Sequence, residues 1–69
     1  MISKRLLDII VSCHEVNNIS YSYYANANTF DVFVWSEYGK DIIANETIDL
    51  DTDDGYDAVE QIIRIARRL

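Results

Sequence analysis

The spacing of apolar residues changes twice along this chain, from the period of a helix to that of a strand and back. Residues 3–16 and 56–69 repeat apolar side chains about every 3.6 positions, whereas residues 19–50 alternate them in steps of two. No proline interrupts these patterns, and the two glycines, Gly39 and Gly55, fall between them. The sequence therefore predicts a helix, a set of strands and a second helix.

Each helix has an apolar stripe that is expected to face the core. In the first helix, from Ser3 to about Val16, the stripe consists of Ile2, Leu6, Ile9, Ile10, Cys13 and Val16. This stripe is extended to more than half of the helix circumference by Leu7, Val11 and His14. We therefore expect the first helix to be buried on a second side, against the second helix or a second copy of the chain. The second helix, which ends near Leu69, is expected to bury Ala58, Val59, Ile62, Ile63, Ile65, Ala66 and Leu69.

Three strands fit the alternating region. Ile19 to Tyr24 forms the first, and the asparagine-rich residues 25–28 suit a hairpin turn because asparagine tolerates a left-handed backbone. Thr29 to Ser36 forms the second, which is apolar on both sides, as is typical of a central strand. Residues 37–40 indicate another turn before a third strand from Asp41 to Leu50.

The predicted fold class is α+β, in the order α-β-β-β-α, with a three-stranded antiparallel sheet and two helices on one face. Because Glu46 lies in phase with apolar positions of the third strand, we expect a bulge near Asn45. Sixty-nine residues allow a single core, so residues 1–69 are expected to form one domain.

The second strand places aromatic residues on the sheet face opposite the helices. The residues expected to face the helices are Phe30, Val32 and Val34. Phe33 and Trp35, joined by Tyr24 of the first strand, would then form an uncovered aromatic patch that could bind a partner or a second copy. In the alternative, Phe33 and Trp35 belong to the core while the two valines are exposed.

Negative charge is concentrated between Glu46 and Glu60. These fifteen positions contain no basic residue and seven carboxylates: Glu46, Asp49, Asp51, Asp53, Asp54, Asp57 and Glu60. The element order resembles the double-stranded-RNA-binding domain, but that family has a basic cluster where this chain has Asp53, Asp54 and Asp57. Carboxylates repel phosphates, so we expect no direct binding of nucleic acid.

Three interpretations of this acidic segment remain open. In the first, Asp53, Asp54 and Asp57 only cap the second helix and favour its dipole. In the second, five carboxylates spaced as in a calcium-binding loop bind the ion, although the glycine of such a loop is displaced to Gly55. In the third, the segment attracts a basic protein surface.

In size, acidity, α/β build and missing disulfide framework, the chain resembles the small acidic inhibitors that phages and other mobile elements encode, including several anti-CRISPR proteins. The resemblance implies a DNA mimic that blocks a basic nucleic-acid-binding site on a host protein, such as a nuclease. Glu46, Asp49, Asp51 and Glu60 are the residues expected to contribute most. The alternative is a homodimeric accessory protein in which the acidic segment only keeps the protein soluble and caps the second helix.

No catalytic motif is present, and no metal-binding motif apart from the imperfect calcium-loop spacing of the acidic segment. Cys13 and His14 are the only cysteine and histidine, and neighbours on a helix diverge by about 100°, so they do not form a nucleophile and base. We expect no enzymatic activity, cofactor or metal. A single cysteine favours a cytoplasmic setting, and the first apolar run, which Asp8 interrupts, is too short for a signal peptide or a membrane span.

Overall fold

The computed structural model describes residues 3–36 and 39–69 and confirms the α-β-β-β-α order. The elements are α1 (Lys4–Glu15), β1 (Ile19–Tyr24), β2 (Thr29–Trp35), β3 (Ile42–Asp49) and α2 (Tyr56–Arg67). The sheet is antiparallel with the order β1-β2-β3, so β2 is central, as predicted. Neither of the two helices in the described residues has the length and apolar character needed to cross a bilayer. Ile2, Glu37 and Tyr38, which carry part of the predictions above, lie outside the described residues.

Both helices pack on the face of the sheet that contains Phe30, Val32 and Val34, which confirms the predicted assignment of faces. These three side chains are at most 3% exposed, and Ile48 of β3 is fully buried beside them. The helices complete the core with Leu6, Ile9 and Cys13 from α1 and with Tyr56, Val59, Ile62, Ile63 and Ala66 from α2. Phe33 and Trp35 lie on the opposite face and are half-buried.

The apolar stripe of each helix is narrower than predicted. Leu7 and Val11 are about half exposed and His14 is exposed, so the prediction that they are buried against α2 is wrong. They lie about 80° to 140° around the helix from Leu6, and α1 packs against the edge strand β1. In α2, Ile65 is exposed because it lies about 120° around the helix from Val59; Leu69, beyond the end of the helix, is exposed too.

A bulge does occur in β3, at Ile43, two residues before Asn45. Val34 pairs with Ala44 and Trp35 pairs with Ile42, which leaves Ile43 as the extra residue. Asn45 pairs regularly with Phe33, so Glu46 remains in phase with the buried side of the strand, opposite Val32. Glu46 is nevertheless exposed, unlike Ile48 two residues further along the same side of β3.

Candidate functional site

Arg5 of α1 forms ion pairs with two of the seven carboxylates in the acidic segment. Its Nε donates to Glu60 Oε2 at 3.1 Å, and its Nη2 donates to Glu60 Oε1 and to Asp57 Oδ1, both at 2.7 Å. The contact with Glu60 is bidentate, the geometry in which a guanidinium binds a carboxylate best. Glu60, which the sequence assigned to partner binding, is therefore engaged within the protein.

The topology of the sheet explains why Arg5 reaches α2. With three antiparallel strands between them, α1 and α2 run in the same direction, so their first turns lie at the same end. A second interhelical pair confirms this: Arg67 Nη2 lies 3.5 Å from Glu15 Oε1 where the helices end. Arg5 is 52 and 55 residues away from Asp57 and Glu60 in the sequence, so the local pattern of the acidic segment could not predict these ion pairs.

The Arg5 contact makes the stability of the protein depend on pH. Hydrogen bonding to Arg5 lowers the pKa of Glu60 from its ordinary value of 4.5. A lowered pKa in the folded state adds stability above the pKa of the unfolded chain, and this contribution is lost as the pH falls through the folded pKa. We expect Glu60→Gln to lower the free energy of unfolding slightly at pH 7. The difference in unfolding free energy between the variant and the wild type should disappear below about pH 4.

Urea unfolding at several pH values measures this gap. Glu46→Gln is the matched control, because Glu46 has no ion pair with any described residue. It should not destabilise the protein at pH 7. A gap for Glu60→Gln that is unchanged at pH 3 would contradict a role for the Arg5 pair.

The turn between β3 and α2 is held by its own backbone. Asp49 N donates to Asp54 O at 2.9 Å, and Asp53 N donates to Asp49 O at 2.7 Å. The Asp49 carboxylate accepts from the backbone N of Asp51 at 2.9 Å, which is an Asx-type contact. These bonds fix the course of the turn, so Asp49 has a structural role that the sequence did not predict.

Gly55, with φ of +103°, provides the N-cap of α2, and no side chain caps this helix. The prediction that Asp53 and Asp54 cap it is therefore wrong. Asp53 has φ of +62°, and its carboxylate makes no hydrogen bond or ion pair with a described residue. The Asp54 carboxylate accepts from Thr52 Oγ1 at 3.1 Å, and the Asp51 carboxylate accepts from Asn28 Nδ2 at 2.7 Å.

We call the three exposed carboxylates of this turn, Asp51, Asp53 and Asp54, the acidic turn. None of them forms an ion pair with a described basic side chain, and the same holds for Glu46 and Asp49. Five of the seven carboxylates predicted to bind a partner thus have no ion pair with a described residue, while Asp57 and Glu60 share the single positive charge of Arg5. Within residues 3–36 and 39–69, no group of three acidic, histidine or cysteine side chains is arranged to hold a metal ion.

The three residues of the predicted aromatic patch all lie on the outer face of the sheet, opposite the helices, but they do not lie together. Trp35 Nε1 donates to Ser20 Oγ at 2.8 Å, and Phe33 lies between Ser20 and Asn45. Tyr24 is four residues beyond Ser20 in β1, about 13 Å further along the strand, and pairs with Thr29.

Thr29 also pairs with Asp49, so Tyr24 and Asp49 lie at the same end of the sheet. At the other end, the bulge places the half-exposed Ile42 opposite Trp35, a neighbour that the sequence pattern did not reveal.

Cys13 and His14 do not act together. Cys13 faces the core, and burial raises the pKa of its thiol to about 11, so the thiol stays protonated at neutral pH. His14 is exposed, and its Nε2 lies 2.9 Å from the hydroxyl of Tyr21. The two side chains therefore point into different environments.

Comparisons with protein families, with curated proteins and with solved structures find no match to this chain.

Proposed function

We propose that this protein is a small non-enzymatic inhibitor, of the kind that phages encode, which blocks a basic nucleic-acid-binding site on a host protein in the cytoplasm. The observation that carries the proposal is the acidic turn, where three exposed carboxylates within four residues lack an ion pair among the described residues. Glu46 and Asp49 extend the charge along the adjacent strand. Such a field repels nucleic acid and attracts the basic groove that would bind it.

The identity of the partner is the first thing to measure. The tagged protein should capture, from the lysate of its native host, a protein that binds DNA or RNA. Purified protein should then compete with that nucleic acid for the partner. A captured partner that binds the protein and its nucleic acid at the same time would contradict the proposed mechanism.

The acidic turn should control how fast the two proteins associate. Changing Asp51, Asp53 and Asp54 together to asparagine is expected to reduce the association rate constant by roughly ten- to a hundredfold at low salt, because electrostatic steering is removed. The difference should shrink as added salt screens the charges. Asparagine keeps the shape and hydrogen-bonding oxygen of each side chain, so the turn should persist. Stopped-flow or surface-plasmon measurements at several salt concentrations test this.

A second triple variant separates local charge from net charge. Asp8→Asn, Glu15→Gln and Asp41→Asn remove the same number of charges from exposed positions outside the acidic segment. This control should slow association much less. Equal slowing by the two variants would mean that only the net charge of −6 matters, and that the acidic turn is not the binding site.

A second function is favoured by the uncovered outer face. Neither helix covers Phe33 and Trp35, and the half-exposed Ile42 lies beside Trp35. This end of the sheet is suited to a homodimer interface, and the acidic segment would then only keep the protein soluble.

Sedimentation velocity at micromolar concentration distinguishes the two functions. If the outer face forms a dimer, Trp35→Ala should convert it to a monomer, because aromatic side chains dominate the energy of such interfaces. Tyr24→Ala, on the same face and about 13 Å along the strand from the Ser20–Phe33 pair, is the control and should leave the dimer intact. A wild-type monomer at this concentration would rule out the dimeric function.

A further inference from the structure

A cavity of about 590 Å³ opens between the start of α1, the β1–β2 turn and the acidic turn. Its volume lies within the range of ligand pockets, roughly 300 to 1,000 Å³. Its apolar walls are formed by Leu6, Ile10, Tyr23, Phe30, Leu50 and Tyr56. Three of these are aromatic. The polar residues of the lining are Ser3, Asn28 and Asp53.

Hydrogen bonds within the protein already occupy most polar groups of the lining. Tyr23 OH donates to Asn28 Oδ1 at 3.1 Å, and Asn28 Nδ2 donates to Asp51 Oδ1 at 2.7 Å. Ser3 Oγ lies 3.3 Å from Tyr56 OH. Asp53 is the exception, because its carboxylate has no hydrogen bond or ion pair with a described residue. The lining is therefore mainly apolar, with one hydrogen-bonded side and one negative charge, Asp53, that has no partner among the described residues.

No basic side chain of the described residues lines the cavity to neutralise Asp53. Arg5 is nearby, with its guanidinium carbon 4.8 Å from the centroid of the Tyr56 ring, but Asp57 and Glu60 hold it. The charge of the lining thus favours a ligand that combines an apolar group with a cation.

We propose that this cavity receives an aromatic side chain of the basic partner protein, while a neighbouring arginine of that partner pairs with Asp53 and Asp51. The inference rests on the proposed function, since it assigns the acidic turn and the cavity to one interface. Tyr23, which is 54% exposed, offers its ring for edge-to-face or offset stacking with the incoming ring, while the nearly buried Phe30 and Tyr56 contribute only small exposed parts of their rings. Buried aromatic anchors in such pockets supply most of the binding energy in protein interfaces.

The two parts of this interface should affect different rate constants. The acidic turn acts at long range and speeds association, whereas a side chain seated in the cavity slows dissociation. Filling the cavity with Ile10→Trp should therefore raise the dissociation rate constant and leave the salt dependence of association unchanged.

The capped tripeptide Ac-Arg-Phe-Arg-NH2 is a direct probe of the cavity. In a titration followed by ¹H–¹⁵N NMR, we expect millimolar binding, with the largest shifts at Leu6, Ile10, Tyr23, Leu50 and Asp53. Ac-Arg-Gly-Arg-NH2, which lacks the ring, and Ac-Glu-Phe-Glu-NH2, which reverses the charge, should not shift these residues at the same concentration.

Two variants complete the test. Asp53→Asn should weaken binding of Ac-Arg-Phe-Arg-NH2 about three- to fivefold; asparagine tolerates the left-handed backbone at this position, so the fold should be preserved. Ile10→Trp should weaken binding more than tenfold. If Ile10→Trp does not fold, as judged by circular dichroism, the Asp53→Asn result and the peptide controls decide.

Several outcomes would overturn the inference. These are shifts outside the cavity, equal shifts from all three peptides, unchanged binding to Asp53→Asn, or cavity shifts that follow protein concentration and indicate a second copy. Tighter binding of phenethylammonium than of the peptide would assign the cavity to a small amine instead. If Ile10→Trp binds the captured partner normally while the asparagine variant of the acidic turn associates slowly, the cavity inference fails and the proposed function survives. If neither variant affects the partner, both fail.

Discussion

Replacing Gly55 by alanine is expected to lower the free energy of unfolding by roughly 2 to 5 kcal/mol. The backbone at Gly55 has φ of +103°, which side chains rarely adopt, and an added Cβ would collide with the backbone carbonyl oxygen of Thr47. It would also lie 3.1 Å from the Cα of Ile48. Neither neighbour can move without displacing β3. A single core of this size supplies only about 3 to 5 kcal/mol, so a large part of the population should unfold.

Gly39→Ala is the matched control for this prediction. Gly39 also has a positive φ, of +70°, but a Cβ at this position meets no atom within 4 Å. Gly39→Ala should lower the free energy of unfolding only by the cost of a side chain in a left-handed backbone conformation, about 1 to 2 kcal/mol. Urea unfolding followed by circular dichroism compares the two variants. Equal losses would show that β3 yields to the added methyl group and that close packing of the turn is unimportant.

Ile48→Ala is expected to cost about 2 to 5 kcal/mol, the usual range for removing a large aliphatic side chain from a core. Ile48 has no exposed surface, pairs with Phe30, and lies on the strand against which α2 packs most extensively. Truncation removes apolar contacts and leaves a cavity that surrounding side chains cannot fully close. Ile48→Val should cost less, about 0.5 to 1.5 kcal/mol.

The same strand offers a control with identical chemistry. Ile43, at the bulge, is 49% exposed, so Ile43→Ala should cost less than about 1 kcal/mol. Thermal and urea unfolding of both variants provide the comparison. Similar losses at the two positions would contradict the assignment of Ile48 to the core and would place the bulge in a packed region, as in an interface between two copies.

The order of the elements follows from the sequence because periodicity is a local property. A helix returns a side chain to the same face about every 3.6 residues and a strand every second residue, so the pattern specifies each element without knowledge of its neighbours. The same reasoning assigned Phe30, Val32 and Val34 to the helix-covered face, as the structure confirms. It failed at Leu7 and Val11, since their burial depends on whether another element lies beyond α1.

The sequence by itself determined the α-β-β-β-α order, the central position of β2 and the concentration of carboxylates between Glu46 and Glu60. Only the tertiary structure decided which of those charges are free. The parallel arrangement of α1 and α2 brings Arg5 to Asp57 and Glu60, and the conformation of Gly55 removes Asp53 and Asp54 from the helix cap. Charge pairing depends on distances in space, and residues more than fifty positions apart become neighbours only when the sheet has formed between them.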